Sequence, residues 1–494
     1  MFSASSATAF SATVPSSTAG TTPPRGRGIS RFAASVVASG LVIAGALVGA
    51  GSAAADDTPQ HQGGATAVLD GLKTYDRAVL HTDGKKQVLP AGLFEMTVDG
   101  GGKLKTYCID IHNPTQDQAK YLETPWNQTS LGTNKNAGKI RWILEHSYPQ
   151  VDDLAALAEQ AGTGPLTEQT AAAGTQVAIW RYSDNADVDA SDKQAEKLAD
   201  WLGKHAEDVA EPKASLALDP AAVSGLSGER LGPVTVHTNA GQVSVTPPAD
   251  SASGVKVTDK SGKPVTVAAN GAQLYFDIPA GAADGTAALT VQATTSVPVG
   301  RAFAGVTKSQ TQILAGSSES TVSANATATW AKKGAIPAVT AKKNCAKGGV
   351  DVTATNEGDE AFTFELAGAE HTVAPGATET VTVPVAEDQA YDFTITGPGG
   401  FTKTFKGVLD CKTAGTTGGG LDTQTAEQPS TATAGGSSAG TGGDLAETGS
   451  SSATPVIAGI AIGLVVIGGG AVFLLRKRKA SPAGPSAGSA GSSE

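Results

Sequence analysis

The sequence predicts a multidomain chain: an α+β domain, then two all-β sandwich domains, a flexible linker and a C-terminal transmembrane helix. Three observations carry that prediction. Helix-spaced and alternating apolar patterns are mixed over residues 65–211, whereas only alternating ones follow up to residue 412. Small and polar residues then take over, and a long uncharged apolar run stands close to the C-terminus. The length of 494 residues suits about three domains. A formal net charge of -11, from 36 Lys+Arg against 47 Asp+Glu, argues against a nucleic-acid partner, which needs a basic face. Cysteines at 108, 345 and 411 alone fit neither a disulfide-dense mini-scaffold nor a Cys/His zinc array.

Residues 1–55 read as an export signal. Arg25, Arg27 and Arg31 form a basic region, Ala33 to Ala50 an apolar stretch, and Ala53-Ala54-Ala55 a small-residue cleavage site before Asp56. The alternative is a retained membrane helix, which the acidic, polar segment after Ala55 disfavours.

Residues 65–211 mix strands and helices. Leu93 to Val98, the turn Asp99-Gly100-Gly101-Gly102 and Leu104 to Ile111 predict a hairpin. In its second strand, Tyr107, Ile109 and Ile111 should share one face, with Thr106, Cys108 and Asp110 on the other. Helices are expected over Gly138–Tyr148 and Thr167–Tyr182. A third begins at Ser191, capped with Gln194, buries Ala195, Leu198, Ala199, Leu202, Ala206 and Val209, and stops before Pro212.

Residues 213–337 and 338–412 each read as an Ig-like sandwich. Val234 to His237, Val243 to Val245, Leu274 to Ile278 and Ala288 to Val291 alternate in the first, separated by turns such as Lys260-Ser261-Gly262 and Asn270-Gly271. Val350 to Thr353, Phe362 to Leu366, Glu379 to Val383 and Tyr391 to Ile395 do so in the second. Cys345 and Cys411 bracket that second unit, so in an exported protein a disulfide between them is the natural reading, with free thiols as the alternative.

Residues 413–444 are dominated by Gly, Thr, Ser and Ala, cannot bury a core, and should form a flexible stalk. Pro455 to Leu475 is an uncharged run long enough, at about 31 Å as a helix, to cross a bilayer. Arg476-Lys477-Arg478-Lys479 opens the cytoplasmic tail, 476–494, and keeps it inside. Before the span stands Leu445-Ala446-Glu447-Thr448-Gly449. Pentapeptide, apolar span and basic tail together resemble the cell-wall sorting signal of Gram-positive surface proteins, in the LAxTG form associated with actinobacterial class E sortases. The resemblance implies that a sortase cysteine attacks the Thr448 carbonyl, releases Gly449 onward and passes the acyl group to peptidoglycan. The membrane would then hold only the precursor. Removing both processed ends leaves 29 basic against 46 acidic residues. A surface this acidic does not favour adhesion to anionic polymers by charge, so attachment would need a specific or covalent contact.

If Cys345 and Cys411 pair, Cys108 is left over in an oxidising compartment, where such a thiol is inert and buried, intermolecular, or reactive. Two segments decide how it is read: Thr106-Tyr107-Cys108-Ile109-Asp110 and Gly174-Thr175-Gln176-Val177-Ala178-Ile179-Trp180. With Ile140-Arg141-Trp142-Ile143-Leu144 and Tyr148-Pro149 between them, they resemble the thioester (TQxA) domain of Gram-positive surface adhesins over residues 65–211. That resemblance implies an internal thioester: the Cys108 thiolate attacks the Gln176 carboxamide carbon and ammonia leaves. A lysine amine of a ligand protein, or another surface amine or hydroxyl, would then open it, with Tyr107 and Trp180 shielding it from water until that moment.

So read, the protein is a covalent adhesin, attached to the wall, with no cofactor and no enzymatic turnover. One rival is a secreted cysteine hydrolase or transglutaminase using Cys108 with His112 or His146 as base. On an extended strand His112 would lie about 13 Å from the thiol, too far to serve it. The other is a passive wall-attached spacer. His61, His81, His205, His237 and His371 show no metal-ligand spacing, and no phosphate loop is present.

Overall fold

Described by the computed structural model are residues 63–116, 118–249 and 254–413. The export segment, the stalk beyond residue 413, the Leu445–Gly449 motif, the 455–475 span and the basic tail lie outside them. Among the described residues, no helix is long and apolar enough to cross a membrane.

The first domain is organised by one long strand, β1 (Thr66–Thr82). It turns at Asp83-Gly84, both at positive φ, into β2 (Lys85–Val98), a two-residue connection that matches the twist of the paired strands. β2 turns through Asp99–Gly102 into β3 (Lys103–Cys108), and β4 (Lys120–Thr124) and β5 (Val188–Ala190) follow. The register of β1 against β2 slips by one residue between Leu69 and Gly71 and again between Leu72 and Thr74. Such bulges bend a strand and add twist. Gly71, at φ +100, sits at the first of them. Curved in this way, β1 pairs with β2 along most of its length, with β4 at its start and with β5 at its end.

The remaining members of this sheet come from far downstream. Strand Gln312–Ser317 pairs with β3, and strand Ala302–Gly305 joins it to β4. The order is β2, β3, 312–317, 302–305, β4, β1, β5, and because β1 also pairs with β2, the strands other than β5 close into a ring. These two strands lie inside the stretch 213–337, whose short apolar runs look alike in sequence whichever sheet they join. A buried ion pair links the residue just ahead of them to β4. Arg301, 4 % exposed, donates from Nε to Glu123 at 2.9 Å and from Nη1 to Glu211 at 2.8 Å. Glu123 also accepts from the N–H groups of Ala65 and Ser215, so it ties β4 to both chain crossings.

Helix α1 (Ala137–Glu145) falls where expected, and α2 (Leu154–Ala161) adds a helix that the sequence reading did not single out. α3 (Glu168–Ser183) is capped by Thr167 in reciprocal bonds with Thr170. α4 (Lys193–His205) is capped by Asp192, one residue later than the sequence suggests, because Asp192 accepts from both Gln194 and Ala195. The helix buries Ala195, Leu198, Ala199 and Leu202, but Ala206 is its C-cap and Val209 lies beyond it, so neither belongs to its buried face. α3 is buried from Ala171 to Trp180, and Gly174 lets α4 approach: a Cβ there would meet the Ala195 carbonyl at 2.5 Å.

In the middle domain, a five-stranded sheet (267–268, 243–246, 285–296, 319–331, 222–226) packs with a four-stranded one (256–258, 273–277, 230–238, 216–219). Val234, Phe276, Leu289 and Val322, from the two sheets, are buried in one apolar core. The strands 285–296 and 319–331 pair over twelve residues, and the excursion 297–318 to the first domain leaves from between them. A third unit, 337–411, has its own core around Val352, Phe362, Ile395 and Phe405. Cys345 and Cys411 are bonded across it, with Cα atoms 5.1 Å apart. Replacing both with Ala should lower the stability of this unit by about 2–4 kcal/mol in a denaturant titration, since the bond restricts a long loop in the unfolded chain. An unchanged midpoint would show that the core alone holds the unit.

Candidate functional site

β3 ends at Cys108. Past Cys108 the Ile109 N–H still donates to the Thr311 carbonyl at 3.1 Å, and the chain then leaves the strand. The chain turns so tightly that Asp110 closes over the thiol: Cys108 Sγ donates to the Asp110 carbonyl at 3.0 Å and accepts from its N–H at 3.2 Å. The alternation expected for residues 109–111 therefore does not apply, nor does the extended-strand distance to His112. Cys108 is fully buried.

α3 presents Gln176, Trp180 and Asp184 at successive i, i+4 positions, one above another on one face. All three reach the turn after β3. The Gln176 carboxamide clamps the cysteine backbone, accepting from the Cys108 N–H at 3.0 Å and donating to the Cys108 carbonyl at 2.8 Å. Trp180 donates its indole N–H to Cys108 Sγ at 3.5 Å. Asp184 accepts from the Ile111 N–H at 3.1 Å. Thr175, beside Gln176, turns its hydroxyl back to the Ala171 carbonyl at 2.7 Å.

The strand 302–305, its loop and strand 312–317 close the other side. Gln310 donates to the Asp110 carbonyl, the same oxygen that receives the thiol, and Gln312 accepts from Thr106 at 3.1 Å. Tyr121 holds this loop through Ser309 and the Gln310 carbonyl. Burial, with the carboxylates of Asp184 and Asp110 adding to it, pushes the Cys108 thiol well above its ordinary range. Burial also raises Asp110, to about 7, and Asp184 well above the usual carboxylate range.

A neutral thiol thus sits against an amide whose oxygen already receives a backbone N–H. That donor is placed to stabilise charge developing on the amide oxygen as its carbon is attacked. Tyr107, fully buried, bonds the Tyr148 carbonyl at 2.7 Å, and Trp180, Cys108 and Gln176 are buried as well.

Over residues 105–208 the sequence matches the family described as thioester domain. The chain carries a thioester domain. Residues 337–408 match the family described as bacterial phospholipase C, C-terminal domain, and coincide with the third structural unit. No curated protein matches the chain in sequence. Among solved structures, the Bacillus anthracis TIE protein aligns at 14 % identity over 70 % of this chain and 81 % of its own, with a TM-score of 0.26. The thioester domain of the Enterococcus faecium TIE86 protein aligns at 15 % identity over 56 % of this chain and 99 % of its own, with a TM-score of 0.25.

In the thioester domain, Cys108 and Gln176 meet, as the two motifs imply. His146 is exposed and bonds the Trp142 carbonyl, and among the described residues neither it nor His112 bonds the thiol. Asp184, Gln310 and the Glu123–Arg301 pair are contributors the sequence reading did not single out. Outside the thioester domain, the carboxylates of Glu387, Asp388 and Asp410 lie close enough together to hold a cation. Their oxygens already serve the Cys411 and Lys412 N–H groups, Lys308 and Thr311.

Proposed function

We propose that this protein is a cell-surface covalent adhesin whose reactive group is an internal Cys108–Gln176 thioester. The observation that carries the reading is the clamp: the Gln176 carboxamide is fixed on the backbone of Cys108, in a dry pocket, with the thiol on the same residue. Attack of Sγ on Cδ expels ammonia and leaves an acyl group far more reactive than the amide it replaces. An amine or hydroxyl of a target surface takes that acyl group onto the Gln176 side chain and frees the thiol. The acyl group is spent once, so the protein is a reagent and not an enzyme, and it needs no cofactor.

The sorting motif completes the reading. A class E-like sortase acts at Thr448 and joins the chain to peptidoglycan, with the 455–475 helix holding the precursor in the membrane. The two β domains then serve as an Ig-like stalk between wall and reactive tip. The acidic chain recruits no nucleic acid.

Intact mass tests the core of this. The purified chain should weigh about 17 Da, one ammonia, less than its disulfide-corrected mass, and the Cys108→Ala variant should not. Full mass with a thiol that alkylates on unfolding would leave a wall-attached spacer.

A further inference from the structure

We propose that the carboxyl groups of Asp110 and Asp184 form the proton-transfer pair of the thioester, taking the proton from the attacking group and delivering one to the leaving group. The inference rests on the thioester reading above. Both aspartates converge on the turn 108–113. The Asp110 main chain brackets Sγ from both sides, while its carboxylate accepts from the N–H of His112 at 3.0 Å and from Asn113 Nδ2 at 2.5 Å. Asp184 ends the helix that carries Gln176 and Trp180, and it accepts from Ile111 N–H and from Ser183 Oγ at 2.6 Å. Among the described residues, no lysine or arginine forms an ion pair with either aspartate. Two buried carboxyl groups without a cationic partner resist losing both protons.

The reaction has a use for that proton. The thiol is held neutral by its surroundings, so attack on the amide requires a base, and an amide nitrogen leaves only when protonated. With Asp110 ionised and Asp184 protonated, the Sγ–H proton passes to Asp110 as Sγ bonds Cδ. The proton of Asp184 passes to Nε2 as the C–N bond breaks. Ammonia departs, and the proton left on Asp110 re-equilibrates with Asp184. The sum is thiol plus amide giving thioester plus ammonia. Opening by an amine reverses the roles: the amine loses its proton to the ionised carboxyl, and the thiolate is protonated as the C–S bond breaks. Asp184 is only partly buried, which gives the pair a route for proton exchange with solvent.

The groups facing the pair are Cys108, His112, and Asp410 from the third unit, whose carboxyl burial raises to about 6. Asp184, held well above the usual carboxylate range, is the acid of the pair, and Asp110, raised to about 7, is its base. Below the Asp110 midpoint both groups are protonated and no base is present. The opening rate, corrected for free amine, should therefore rise with pH through about 7.

The experiment follows methylamine opening of the full-length chain by intact mass from pH 5 to 9, in wild type, Asp110→Asn and Asp184→Asn. We expect Asp110→Asn to open about a hundredfold or more slowly and without the rise, or to fail to form the thioester while folded. Asp184→Asn should be slowed too, with the rise near neutrality kept, because Asp184 is neutral when Asp110 ionises and its loss takes no charge from beside Asp110. Wild-type rates and an unchanged profile in both variants would overturn the proposal. Should the variants not fold, the wild-type profile decides: a corrected rate flat across this range refutes the pair, and a rise near neutrality supports it. Wild type at full mass would instead defeat the thioester reading itself.

Discussion

Changing Gln176 to Glu should abolish covalent capture: the variant is expected at full calculated mass, with Cys108 alkylatable after unfolding and no adduct with methylamine. The substitution is nearly isosteric, but it removes both things the site needs from residue 176. Nε2 donates to the Cys108 carbonyl at 2.8 Å, and a carboxylate has no proton to donate there. The group expelled as ammonia is also gone, and an ionised carboxylate resists attack by a thiol. An oxygen facing the Cys108 carbonyl would be repelled, so a loss of about 1–3 kcal/mol in stability should accompany the loss of chemistry. Calorimetry beside mass spectrometry separates the two. An adduct in the Glu variant would mean that the captured amine attaches elsewhere.

Glu123→Ala should be the most destabilising single change in the first domain, by about 3–5 kcal/mol in a denaturant titration. Arg301 is 4 % exposed and Glu123 fully buried, and their 2.9 Å pair is completed by bonds from Ala65 and Ser215. Removing the carboxylate strands the guanidinium with Glu211 and the Pro212 carbonyl as its partners. Glu123→Gln, which keeps an acceptor but not the charge, should cost less. Because Arg301 leads straight into strand 302–305, thioester formation should fall along with stability in the Ala variant. A loss below about 1 kcal/mol would show that strand pairing, not the ion pair, holds the downstream strands in the ring.

Much of the site was legible because its chemistry needs particular residue types. Cys108 next to Tyr107, and Thr175-Gln176 four residues ahead of Trp180, stand out from an otherwise bland composition. Helix α3 was visible from Thr167 to Tyr182 because its apolar spacing and its cap agree. The i, i+4, i+8 series Gln176, Trp180, Asp184 was equally readable, yet a polar residue at a helix end reads as an ordinary cap until the turn opposite is known. Helix α2 was also readable in retrospect. Asp153 caps it, Leu154, Leu157, Ala158 and Ala161 are helix-spaced, and Gly162 ends it in the left-handed conformation. Hidden in principle was the return of residues 302–317 to the first domain. Strand pairing is set by partners far away in sequence, and the short run Gln312–Ser317, buried at every residue but the last, does not say which edge it will join.

That return determines how a pull would pass through the molecule. Suppose residue 176 is bound to a surface and the chain is drawn from its C-terminal side. Tension arrives through strand 319–331 and reaches Gln312–Ser317, whose partner is the strand ending in Cys108. The load is borne in shear along antiparallel strands, with Gln312 directly opposite Cys108, rather than by peeling one hydrogen bond at a time. The first and middle domains are therefore one mechanical element joined by more than a single thread, and they offer no hinge at which a tug could part them.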